Sequence, residues 1–152
     1  MSRGPIHIPV KTEDNNQPVV QEEYNPVIYV FLNKSLHMSA GKAAAQAIHA
    51  GIYAVISEDQ SKQQLWLVNP HKTVIVLEAR DENHIRNIST YLKDRGYPTN
   101  TIVDEGVNEI DPHTITALST GILNKNSSHT RDTFSTFKLY KDVVKLTLEY
   151  EK

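Results

Sequence analysis

The chain has 152 residues and no cysteine. Disulfides and thiolate metal sites are therefore excluded, and the composition fits a reducing, cytoplasmic compartment. No apolar run approaches the ~20 residues that a bilayer-spanning helix needs. Met1 to Asn25 is polar and proline-containing, without the apolar core of a secretory signal. No membrane partner is expected. A basic surplus is also missing: 16 Lys and Arg stand against 18 Asp and Glu, a net charge of −2. Proteins that grip nucleic acid through many phosphates usually carry such a surplus. Extended RNA binding is not favoured by this balance. A local basic patch from Lys34, Lys42, Lys138, Lys141 and Lys145 is still open, and a few of these would serve one small anionic ligand.

Several chemical motifs are absent as well. There is no phosphate-binding loop, no Gly-x-Gly-x-x-Gly and no Gly-x-Ser-x-Gly. The seven histidines (His7, His37, His49, His71, His84, His113, His129) are not paired at helical metal-ligand spacing, and no His-Glu-x-x-His occurs. No metal site is expected. His71-Lys72-Thr73 has the His-x-Thr form of the two-histidine phosphoesterases, but His113-Thr114-Ile115 does not complete the second copy those enzymes need. Trp66 and Tyr97 could stack on a base, though core packing is the more ordinary use of such residues.

What is present reads as one soluble domain. Hydrophobic residues make up 39% and charged residues 22%, on the polar side of the globular range. Residues 1–25 read as a flexible arm, in which Val19-Val20 could pair with an edge or a neighbouring subunit. Residues 26–140 hold the domain, and 141–152 are a C-terminal extension. Val27 to Leu32 is a short apolar run of strand length. Ser39 is an N-cap candidate for a helix ending near Ser57. Gln63 to Val68 is a short helix or turn, broken at Asn69-Pro70. Thr73 to Leu77 is continuously apolar and β-branched, as a strand buried on both faces would be. Asp81 to Arg95 is amphipathic, with Ile85, Ile88, Tyr91 and Leu92 inward and Gly96 as its stop. Thr99 to Val103 and Thr114 to Leu118 are further strands, and His129 to Phe137 a short helix. Lys145 to Tyr150 alternates like an extra strand. It either packs on its own sheet or joins subunits, which would make the protein a homo-oligomer. The alternation of strands and helices argues for an α/β sandwich with a central, largely parallel sheet.

Gly41 to Ala50 carries the most information. As a helix it places Lys42, Gln46, His49 and Tyr53 on one side. Ala44, Ala47, Ile48, Gly51, Ile52 and Val55 form a small apolar side suited to lying against a sheet. A lysine in the first turn would meet an anion already favoured by the free N–H groups and the helix dipole. The same pattern also fits an ordinary amphipathic helix with a solvated stripe. In open α/β sheets, ligands bind beyond the carboxyl ends of the strands. That brings together the helix start (Ser39, Gly41, Lys42, Gln46), the end of the third strand (Asp104, Glu105, Gly106) and the loop to the fourth (Asn108 to Thr116). There, Lys42 would stabilise developing negative charge, Asp104 would orient a water or accept its proton, and Gln46 would hold that water.

The words of this helix resemble those of the type 2 peptidyl-tRNA hydrolases: a Gly-Lys, small residues, a Gln, and a His soon after. The resemblance runs over roughly residues 27–140. Tyr29-Val30-Phe31-Leu32 looks like the family's first strand, and Leu36-His37-Met38 stands where the family has Leu-Lys-Met. Ile102-Val103-Asp104-Glu105-Gly106 resembles its apolar strand ending in Asp-Ala-Gly. The resemblance implies a three-layer sandwich, with a four-stranded mixed sheet between helices. It implies catalytic roles for Lys42, Gln46 and Asp104, with His49 as easily structural as catalytic, the 3′ end of tRNA as partner, and no metal or organic cofactor.

The reactive loop departs from the family pattern. Where the family reads roughly Asp-Ala-Gly-Arg-Thr-Gln, this chain reads Asp104-Glu105-Gly106-Val107-Asn108-Glu109. The basic residue is Val107, the threonine is Asn108, and Glu105 adds a carboxylate that would repel phosphate. The family's Pro-Gly-Ser is Pro112-His113-Thr114, and its Gly-Ile-Gly-Pro is replaced by Ser119-Thr120-Gly121-Ile122. His37 is only partly charged at neutral pH. Two functions follow. The favoured one is a non-catalytic binder that sequesters a small anionic ligand, such as a nucleotide messenger held as a viral trap. Its pocket would be built from Ser39, Gly41, Lys42, Gln46, His37, Asp104, Gly106, Asn108 and Thr116. The alternative is an active peptidyl-tRNA hydrolase.

Overall fold

A computed structural model describes residues 6–9, 21–105 and 113–141 of the chain. Its centre is a strand of eight buried residues, Pro26–Asn33, here β3. Before it, β1 (Ile6–Pro9) and β2 (Gln21–Tyr24) pair antiparallel as a separate two-stranded sheet. Part of the N-terminal arm is thus strand rather than loose chain, while Val19 and Val20 lie outside the described residues. The main sheet runs β4 (Thr73–Ala79), β3, β6 (Thr114–Thr120), β5 (Thr99–Asp104), with β7 (Leu123–Asn124) pairing the start of β3. β3 and β4 are parallel, from Val27 opposite Thr73 to Asn33 opposite Ala79. β6 runs antiparallel to both β3 and β5, so β3, β4 and β5 all end at the same edge.

Strand alternation sorts β3 between two cores. Val27, Tyr29 and Phe31 join Leu77, Ile85, Ile88, Leu92, Leu118 and Phe134 under α3 (Glu82–Asp94) and α4 (Ser128–Phe134). Ile28, Val30 and Leu32 join Ala43, Ala50, Ala54, Ile102 and Ala117 under α1 (Ala40–Ile56). The sandwich is therefore three-layered, as expected. α3 follows its sequence pattern closely. Asp81 accepts a hydrogen bond from the His84 amide at 2.8 Å, Ile85, Ile88 and Leu92 are buried, and Gly96 ends the helix at φ +86, a conformation that suits glycine. α2 (Gln60–Val68) is a full helix, with Asp59 as its cap.

Two expectations are corrected. The side of α1 that lies on the sheet is Ala43, Gln46, Ala50 and Ala54, not the row containing Ile48 and Ile52, which are 61% and 52% exposed. Alanines bring the helix axis closer to the sheet than isoleucines would, and the polar Gln46 faces inward because it finds partners there. β4 is not buried on both faces: Val74 is 49% exposed, β4 being an outer strand that is paired with β3 on one side and, among the described residues, flanked on the other by the segment around Leu139. The extra strand read at Lys145–Tyr150 lies outside the described residues. Among those described, no helix is long and apolar enough to cross a membrane.

Candidate active site

The chain leaves β3 through a short 3-10 turn, Lys34–Leu36. Asn33 ties this turn down. Its side-chain amide donates to the Ile115 carbonyl at 2.9 Å, and its oxygen accepts from the Ser35 amide at 3.1 Å and the Ser35 hydroxyl at 2.6 Å. His37 then takes a left-handed backbone, φ 47, and is exposed. Ser39 caps α1, its hydroxyl oxygen accepting from the Lys42 amide at 3.3 Å. The first turn of α1 is thereby fixed at the carboxyl edge of the sheet.

Lys42 and Asp104 meet there. Lys42 Nζ lies 2.7 Å from Asp104 Oδ2, with side chains only 15% and 8% exposed. Asp104 closes β5 on the same strand face as Ile102, which turns its carboxylate toward α1. One turn along the helix, Gln46 is 2% exposed, and its Nε2 donates to the same Oδ2 at 3.2 Å. The Gln46 carbonyl oxygen accepts from the Thr116 hydroxyl at 2.6 Å. Thr116 is fully buried on β6. The chain of bonds Thr116–Gln46–Asp104–Lys42 is directional: the ionised carboxylate can only accept, so the Gln46 amide presents its N–H to Asp104 and its oxygen to Thr116, whose hydroxyl then donates. An ion pair this poorly hydrated persists only with such hydrogen bonds around it. An ammonium has three donors, and the Asp104 contact uses one. The arrangement can hold a carbonyl oxygen at Lys42 while a carboxylate stands beside it.

Of the remaining expected residues, Ser39 and Gly41 sit in the cap and first turn, with Gly41 exposed. His49 and Tyr53 are exposed on α1, away from the buried network. Glu105 is exposed beside His113, 3.9 Å between carboxylate and ring nitrogen. The His113 amide donates to the Asp104 carbonyl at 2.7 Å, closing the end of the β5–β6 pair. Gly106, Val107, Asn108, Glu109 and Pro112 lie outside the described residues. Trp66 packs half-buried under α1, and Tyr97 is buried with its ring stacked on His129 at 5.3 Å. Among the described residues no cluster of His, Asp or Glu could hold a metal ion. Asn33 stands at the end of the apolar run, where the sequence pattern predicts only a loop to Met38, and the structure makes it the tie of this edge. Its signal was a capping-type residue at the end of an apolar run.

The profile of the family described as "Peptidyl-tRNA hydrolase PTH2" matches residues 27–140. The chain belongs to the type 2 peptidyl-tRNA hydrolase family. It is similar to the peptidyl-tRNA hydrolase of Pyrobaculum aerophilum, 34% identical over 96 residues, covering 60% of this chain and 80% of that one. It is likewise similar to that of Methanopyrus kandleri, 34% identical over 100 residues, covering 64% and 84%. A solved protein of unknown function from Agrobacterium has a TM-score of 0.45 and 13% identity, covering 78% of this chain and 99% of that one, a likeness too distant to bear on function. In this type 2 hydrolase fold, the buried network joins Lys42, Gln46 and Asp104, with Thr116 as its fourth member.

Proposed function

We propose that this chain hydrolyses the ester between a peptide and the 3′-terminal ribose of tRNA. The observation that carries this reading is the completeness of the Thr116–Gln46–Asp104–Lys42 chain of bonds, in which both charged groups are held and screened from water. Water attacks the ester carbonyl. Lys42 donates to the oxygen on which negative charge develops. Asp104 accepts the proton of the attacking water and returns it to the departing ribose oxygen as the carbon–oxygen bond breaks. Gln46 acts through Asp104: its amide is engaged to the carboxylate and to Thr116, so it positions the base rather than the water. No step calls for a metal or an organic cofactor.

The competing expectation, a pocket that sequesters a small anionic nucleotide without turnover, uses the same Lys42 but no observation of its own. A pure anion trap has little use for a carboxylate 2.7 Å from its lysine. The test is release of peptide from peptidyl-tRNA by the purified protein, with Lys42→Ala as control. Cleavage that disappears in the variant supports the hydrolase. A folded wild type that binds a nucleotide and leaves the ester intact would overturn it and restore the trap.

A further inference from the structure

A second feature opens at the same edge of the sheet, beyond the end of β4. A cavity of about 300 Å³ is lined by Glu78, Arg80, His84, Phe137 and Lys138 among others. It shares His84, Thr136 and Phe137 with a neighbouring cavity of about 290 Å³, whose further lining includes Asn87, Ile88 and Tyr91. The two form one cleft with unlike lobes. The first is cationic. Arg80 and Lys138 are exposed and have no ion-pair partner among the described residues, whereas Glu78 is already neutralised by Lys34 at 2.9 Å. His84 accepts from the Arg80 amide through Nδ1 at 2.9 Å, so its neutral ring carries a proton on Nε2 as a further donor. The second lobe is aromatic and apolar. Phe137 and Tyr91 meet edge to face at 6.1 Å, and Asn87 supplies an amide at the rim. A cationic lobe joined to a flat apolar one matches a nucleotide, with its phosphate in the first and its base in the second.

We infer that the Arg80–Lys138 cleft binds one nucleotide of the tRNA strand, upstream of the nucleotide that carries the ester. This rests on the hydrolase reading for the position of the ester. The end of β4 is three strands from the end of β5, about 14 Å at the usual spacing. That is too far for the nucleotide esterified at Asp104. Because α1 and α3 cover opposite faces, the strand must cross the carboxyl end of β3 and the amino end of β6, passing Lys34 on the way. Two cations in one cleft, unpaired among the described residues, also explain how a chain of net charge −2 can hold RNA: the positive charge is local.

The probe is deacylated tRNA, which binds without reacting, titrated at several salt concentrations against wild type, Arg80→Ala/Lys138→Ala, and a charge-matched control, Lys72→Ala/Lys93→Ala. Removing the neutralisation of one single-stranded phosphate lowers the slope of log affinity against log salt by about 0.7. The advantage of wild type over the cleft variant then shrinks about 2.6-fold between 50 and 200 mM salt. In turnover, the cleft variant raises KM for peptidyl-tRNA and leaves kcat unchanged. An unchanged slope, an equal loss in the control, or a wild type that does not bind tRNA would each overturn the cleft. Binding that follows these expectations without ester cleavage would instead overturn the hydrolase reading and leave the cleft as an RNA site. If free mononucleotide binds the cleft as tightly as tRNA, the occupant is a free nucleotide rather than the strand.

Discussion

Replacing Lys42 by Met tests whether the Lys42–Asp104 pair is structural as well as chemical. At 2.7 Å the gross attraction is about 6 kcal/mol at an effective dielectric of 20, part of which offsets the desolvation of two groups only 15% and 8% exposed. Methionine fills the stem of the lysine but leaves a buried carboxylate with Gln46 as its remaining donor among the bonds described above. Breaking one side of a buried pair costs about 3 kcal/mol or more, which is roughly 6–12 °C in melting temperature for a chain of this size. Asp104→Asn costs less, because the long stem of Lys42 can carry its ammonium outward to water. The double variant Lys42→Met/Asp104→Asn removes both charges, and its loss is expected to fall about 1–3 kcal/mol short of the sum of the single losses. Thermal and urea unfolding of the four proteins give the cycle directly. On the proposed mechanism all three variants are expected to lose activity, so recovered stability in the double variant separates the two roles. Additivity within about 0.5 kcal/mol would mean that the pair does not couple, and would refute the reading of this site as a closed network.

Thr116→Val keeps the shape but leaves the Gln46 carbonyl oxygen without its donor, which is expected to cost about 1–3 kcal/mol and to slow ester cleavage while tRNA affinity holds; a variant as stable and as fast as wild type would remove Thr116 from the network. The Tyr24 phenol is pushed up to about 12 by burial and, secondarily, by the charge of Glu58. Its ionisation is thus favoured in the unfolded chain first, so stability present below pH 10 is lost as the pH rises from 10 toward 12, by up to about 3 kcal/mol. Tyr24→Phe flattens that alkaline limb in urea titrations, and because the buried hydroxyl has no hydrogen-bond partner among the described residues, stability at pH 7 is unchanged or higher. Gly121→Ala places a methyl group against the Glu58 carboxylate, which must move and release the Ile122 amide that it accepts at 3.2 Å; the expected loss is about 1–3 kcal/mol by calorimetry.

Much of the fold is legible because local and global signals agree. α3 shows this in one stretch: a capping aspartate, inward positions at Ile85, Ile88 and Leu92, and a glycine stop, all realised. β3 was equally clear from its apolar run. α1 was not, since alanine, isoleucine and glutamine do not announce which side meets the sheet. Its helix presents two candidate apolar rows, and the choice falls to the one whose polar member finds Asp104 and Thr116. That pairing spans 58 residues in one bond and 70 in the other, beyond any local pattern. The exposure of Val74 has the same origin, because a continuous β-branched run looks alike in a central strand and near an edge. At the site, Lys42, Gln46, Asp104 and Thr116 were all readable as candidates, and the resemblance supplied the roles of the first three. The direction of the Gln46 amide was not readable, nor was the company that Arg80 and His84 keep with Lys138, because these residues gather only when β4, α3 and the segment after α4 reach one edge.

The central claim is that the buried network performs ester hydrolysis on tRNA. Its most direct test is single-turnover cleavage of an N-blocked aminoacyl-tRNA by wild type and Asp104→Asn, with the affinity for deacylated tRNA measured on the same preparations. The expected result is cleavage by wild type and a loss of at least about a hundredfold in the variant, as removal of a positioned proton acceptor brings, with affinity nearly unchanged. Equal rates in the two proteins, or no cleavage by a wild type that binds, would contradict it.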